Sequence, residues 1–81
     1  MKLFVYSLKK VLFEGEVSSI NCKTVAGEIT VLNHHRPLIT ILDKGTVKIT
    51  GENHEEHYIP VASGFLEIAP DNRGKLLIEE A

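Results

Sequence analysis

Apolar and polar residues alternate with a period of two along most of this chain, and this limits its possible folds more than any other feature. Between Thr46 and Thr50, for example, Val47 and Ile49 share one face of an extended strand and the polar residues share the other. No stretch of about ten residues carries apolar side chains at helical spacing without a glycine or proline in between. The pattern predicts an all-β chain.

Short runs of strand-forming residues recur from end to end and are separated by turn-forming residues. The runs cover residues 1–6, 11–13, 17–24, 28–32, 38–42, 46–50, 58–61, 65–69 and 76–80. The breaks fall at Gly15, 26–27, 43–45, 51–53, 63–64 and 70–74. This spacing predicts an antiparallel β-sandwich of about ten short strands. We expect it to form one domain over residues 1–81.

Size and charge narrow the classes of function. A domain of 81 residues has a marginal core, so a partner surface is plausible, and we expect one face of the sandwich to be apolar and exposed. The net charge is −2 with both signs scattered, which argues against nucleic acid. The longest uncharged run, 57–66, contains Pro60 and Gly64 and is too short to span a bilayer, so we expect no direct membrane insertion.

Catalytic and metal-binding patterns are weak. His54 and His57 flank two glutamates at a spacing of three, whereas the zinc-protease motif needs a spacing of four on a helix. Cys22 lies on the apolar side of its run, where a thiol packs inertly. No glycine-rich phosphate loop is present. We therefore expect no enzyme activity, no metal, no cofactor and no small-molecule substrate.

The segment 26–40 is unusual because it joins two apolar runs through a loop of two histidines, an arginine and a proline. Pro37 fixes its own φ and biases Arg36 towards an extended conformation. Such a stiffened loop suits a docking surface. An ordinary connection is the alternative, and the residues taken alone favour it.

Several blocks stand out along the chain, namely 12–17, Gly27-Glu28-Ile29, Val31-Leu32, His35-Arg36-Pro37-Leu38-Ile39-Thr40, 44–47 and 61–68. Together these blocks resemble the epsilon subunit of F-type ATP synthases (delta in mitochondria). They occur in the family's order and cover nearly the whole chain. The departures are Thr30, Asn33, His34 and Ala62, where the family usually has other residues.

The resemblance implies a function. Family members are non-catalytic rotor subunits of the central stalk that couple the gamma subunit to the membrane rotor ring. The chain would then be peripheral, held by the complex at the cytoplasmic face of the inner (plasma) membrane. The matching partner-binding positions are Glu28, Ile29, His35, Arg36, Pro37, Leu38 and Thr40. We expect Glu28 and His35 to be exposed near one end of the sandwich.

Two further expectations complete the reading. Family members generally continue into a C-terminal helical hairpin that regulates hydrolysis, but nothing here has helical periodicity, so we expect no such hairpin and no inhibition through it. The alternative function, from another class, is a free-standing ligand-binding β-sandwich or barrel.

Overall fold

All regular structure in the chain is β-strand, as the alternation predicts. The computed structural model describes residues 1–81 and contains no helix, and so none long and apolar enough to cross a membrane. The strands are β1 (Lys2–Tyr6), β2 (Val11–Thr24), β3 (Gly27–Leu32), β4 (Leu38–Leu42), β5 (Gly45–Gly51), β6 (Glu56–Ile68) and β7 (Arg73–Glu80).

Two long strands, β2 and β6, divide the sheet into two layers because each changes partners along its length. The second half of β2 pairs with β3 and β5, and β5 pairs with the first half of β6; these strands form the first layer. The first half of β2 pairs with β1, which continues through β7 and the second half of β6 to β4; these form the second layer. The result is the predicted sandwich.

The strand count is seven rather than about ten, because two of the expected turns lie inside continuous strands. Gly15 pairs with Leu3 within β2, so the chain does not turn there. In β6 the register shifts between Val61 and Ser63 while the strand continues through Gly64. A glycine signal predicts a turn, but the pairing at Gly15 is regular, and in β6 a β-bulge bends the strand without ending it.

One pairing departs from the predicted antiparallel pattern. β1 and β7 run parallel, with Val5 opposite Leu76, whereas every other pair is antiparallel. Antiparallel neighbours need only a tight turn, but here the whole intervening chain forms the connection. No local signal in either strand specifies such a long-range partnership.

The core lies between the layers and is built from the inward positions of both. The predicted inward pairs hold, since Val47, Ile49 and Cys22 are all buried. Thr24 is the one buried polar residue, and its hydroxyl donates to the Gly27 carbonyl (2.6 Å), which closes the β2–β3 turn. The core cluster is Met1, Leu3, Val5, Val17, Ile20, Cys22, Val31, Leu42, Val47, Ile49, Val61, Leu66, Ile68, Leu76 and Ile78.

Candidate docking surfaces

The outer face of the second layer carries apolar side chains that cross the sheet in a line. Ile41, Phe65, Leu77, Tyr6 and Val11 are successive cross-strand partners. Directly paired residues point to the same face of a sheet, so these five form one continuous apolar row. Ile41 is 61% exposed and Val11 53%. Scattered exposed apolar residues need no explanation, but a contiguous stripe marks an interaction surface.

The neighbouring line of residues mixes apolar and charged groups. Ile39, which is 72% exposed, widens the apolar row at its β4 end. Next to it Glu67 pairs with Lys75, and Lys75 pairs with Phe4, whose ring stacks on Tyr6 at 6.1 Å. The apolar row is therefore bordered by charge, which is the usual anatomy of a protein interface.

Surface recesses are shallow. The largest, about 360 Å³, lies between the stacked rings of Phe4 and Tyr6 and the charged side chains of Asp71 and Arg73. It is open to solvent, as are the other recesses. None of these recesses is an enclosed cavity, and the core side chains pack together between the layers.

The outer face of the first layer is mostly polar by contrast, with Leu32 and Tyr58 as its exposed large apolar side chains. Lys48 lies between Asn21 and Tyr58 across the sheet. The Tyr58 hydroxyl donates to Glu56 (2.8 Å), and the Lys48 ammonium lies 3.4 Å from the same carboxylate. These contacts, the tyrosine hydrogen bond first, lower the pKa of Glu56, and that hydrogen bond raises the pKa of Tyr58. The expected exposed apolar face therefore lies on the second layer.

The loop of residues 33–37 is exposed but firmly held. The backbone N–H of His34, which has φ 63°, donates to the Asn72 side chain (2.7 Å) in the β6–β7 turn. The Asn33 side chain contacts the ammonium of Met1. His35, Arg36 and Pro37 themselves are exposed, with the His35 ring nitrogen Nδ1 2.7 Å from the Arg36 carbonyl oxygen. These three predicted residues are thus presented to solvent on a loop whose first two residues are tied to Asn72 and Met1.

Glu28 is also exposed, but it lies at the other end of β3 from His35. The strand from Glu28 to Leu32 spans about 13 Å, and His35 follows beyond Leu32. The expectation that Glu28 and His35 lie near one end of the sandwich is therefore wrong. The strand expected over residues 28–32 already separates them, because it is extended along its whole length.

The other predicted residues point inward. Ile29, Leu38 and Thr40 are half-buried, and the first two pack against the core. The exposed positions of β4 are Ile39 and Ile41, which the sequence reasoning did not select for gamma contact. Since both faces of β4 are largely apolar, alternation does not show which of its residues face outward.

The structure offers no arrangement of catalytic groups. Burial raises the pKa of the Cys22 thiol to about 11, which keeps it protonated and unreactive. His54 lies in a turn at φ 68°, and His57 packs on the ring of Phe13 at 5.0 Å. No group of three or more His, Cys, Asp or Glu side chains is placed to hold a metal ion.

A small β-sandwich with one apolar outer face and an exposed loop has the surface of a protein-docking domain. The family model for the β-sandwich domain of the ATP synthase delta/epsilon chain matches residues 1–81. The chain therefore belongs to this family, and the resemblance found in the sequence is confirmed.

Chains in two solved structures share the fold. One, in the mitochondrial ATP synthase of Euglena gracilis (OSCP/F1/c-ring), is 19% identical with a TM-score of 0.87 over 94% of this chain. The other, in the central stalk/c-ring of the Tetrahymena thermophila mitochondrial ATP synthase, is 19% identical with a TM-score of 0.82 over 99%. The chain spans 48% and 63% of the lengths of these two chains.

Proposed function

We propose that this chain acts as a non-catalytic central-stalk (rotor) subunit of an ion-translocating F-type ATP synthase. It couples the gamma subunit to the membrane rotor ring, while catalysis takes place on other subunits. The apolar row carries the proposal, because it gives a domain of this family one face suited to a protein partner. The two structures that contain the same fold are described as an F1/c-ring assembly and a central stalk/c-ring.

Each surface has a proposed partner. Gamma packs on the apolar row, with Leu38 and Thr40 supporting β4 from the inner side. His35, Arg36 and Pro37 contact gamma at the end of the domain near Met1. Glu28 pairs with polar or cationic loop groups of the rotor ring at the opposite end, and Ile29 anchors the strand that carries it.

In this proposed arrangement the chain lies at the membrane without entering it. The domain is peripheral, at the cytoplasmic face of the inner (plasma) membrane, and is held there by gamma and the ring. It needs no cofactor, metal or small-molecule substrate for this role. Both ends and the apolar face are engaged, which leaves to solvent the part of the first-layer outer face that lies around Tyr58.

Reconstitution tests the proposal. The purified chain is added to the matching ATP synthase depleted of its epsilon subunit, and binding and ATP-driven ion pumping are measured. We expect stable association and restored coupling between hydrolysis and pumping. If the chain instead stays monomeric, does not bind the complex and carries a bound small molecule, the ligand-binding alternative is supported.

A further inference from the structure

The Glu28 carboxylate is held in place by a side chain from the neighbouring strand. Asn21, on β2, lies directly opposite Thr30 of β3, and Glu28 is the diagonal neighbour on the same outer face. The Asn21 nitrogen Nδ2 lies 3.1 Å from Glu28 Oε2, 2.9 Å from Thr30 Oγ1 and 3.4 Å from the Ile29 carbonyl oxygen. One amide group thus reaches three oxygens of β3.

The orientation of the Asn21 amide follows from its partners. A carboxylate and a backbone carbonyl only accept hydrogen bonds, so the nitrogen must face Glu28 and Ile29. Asn21 therefore donates to Glu28, and one carboxylate oxygen is engaged. The other oxygen, Oε1, has no hydrogen-bond partner within the chain.

Glu28 also lacks an intramolecular ion pair. Lys23 lies directly opposite it across the strands, yet the ion pairs of this chain involve other residues. Beside them is a small polar recess of about 140 Å³, lined by Asn21, Lys23, Glu28, Gly45 and Thr46, with no hydrophobic side chain. The absence of a side chain at Gly45 leaves this recess open for an incoming polar group.

We propose that Asn21 is a positioning residue. It holds the Glu28 carboxylate ready to accept a hydrogen bond from one cationic side chain, arginine or lysine, of the rotor ring. The inference rests on the proposed function, because it concerns the same rotor contact. A glutamate loses considerable side-chain freedom when it is fixed at an interface. Asn21 restricts that freedom before binding, so less is lost when the partner arrives.

The test combines Asn21→Ala and Glu28→Ala, singly and together, with Ser19→Ala as the control from the same face of β2. Binding to the epsilon-depleted ATP synthase is measured at low and high salt, and thermal unfolding is measured on each variant. We expect Asn21→Ala to weaken binding about two- to tenfold and to reduce its salt dependence. In the Glu28→Ala background the same change should have no further effect, and Ser19→Ala should bind normally.

A nearly isosteric variant keeps the test independent of folding. Asn21→Leu preserves the shape of the side chain but has no donor for the Glu28 carboxylate, so binding should fall about as far as in Asn21→Ala. If Asn21→Ala reduced the binding affinity equally with Glu28 present and with Glu28 replaced by alanine, this inference would be overturned and the rotor role would stand. Failure of the unsubstituted chain to bind at all would overturn the proposed function, and this inference with it.

Discussion

Replacing Ile39 and Ile41 by serine should abolish most of the affinity for gamma while leaving the fold intact. Both side chains already stand largely in water, 72% and 61% exposed, so their loss removes little core packing. Full burial of an isoleucine side chain is worth about 1.5–3 kcal/mol. Scaled by the exposed fractions, burying both against a partner contributes about 2–4 kcal/mol, or about 30- to 900-fold in Kd.

Tyr58→Ser provides a matched control, because Tyr58 is 60% exposed but lies on the outer face of the first layer. The variants are compared by calorimetric titration against isolated gamma, after circular dichroism has shown that each remains folded. The control should bind within about twofold of the unsubstituted chain. If the double variant kept full affinity, or if Tyr58→Ser lost as much, the apolar row would not be the gamma surface.

Three further predictions concern the core, the glycine beside the β6 bulge and the ring contact. Burial raises the pKa of Cys22 from 9.0 to about 11, so the unfolded thiol ionises first and stability falls between these pH values, by about 3 kcal/mol. In urea unfolding, the stability of Cys22→Ala should not fall in this way as the pH rises. If the stability of both proteins fell equally with pH, the prediction would be refuted. Gly64→Ala should cost about 3 kcal/mol, since at φ 155° its Cβ would lie 2.3 Å from the Leu77 carbonyl oxygen, and an unchanged melting temperature would contradict this. Glu28→Lys should impair coupling in the reconstituted complex more than it impairs folding. If the variant were largely unfolded but its folded fraction assembled normally, Glu28 would have a structural role instead.

The alternation along the chain determined the class of fold and the composition of the core. A period of two assigns each side chain to one face, so Val47 and Ile49 could be placed inside before any pairing was known. The ordered blocks from Gly27 to Thr40 and from Val61 to Ile68 identified the family, because their combination is specific even though each block is short. These features are local, so they can be recognised in the sequence without knowing which strands pair.

Tertiary structure decided what depends on distant partners. Whether Gly64 ends a strand or bends it depends on β7 lying alongside, and the parallel pairing of β1 with β7 depends on the path of the whole chain. In β4 both parities are largely apolar, so only packing against the core selects Ile39 and Ile41 as the exposed pair. The alternation of residues shows which side chains share a face of a strand. Strand register and packing against other strands decide which of the two faces meets solvent, so the docking surface forms only when the two layers are assembled.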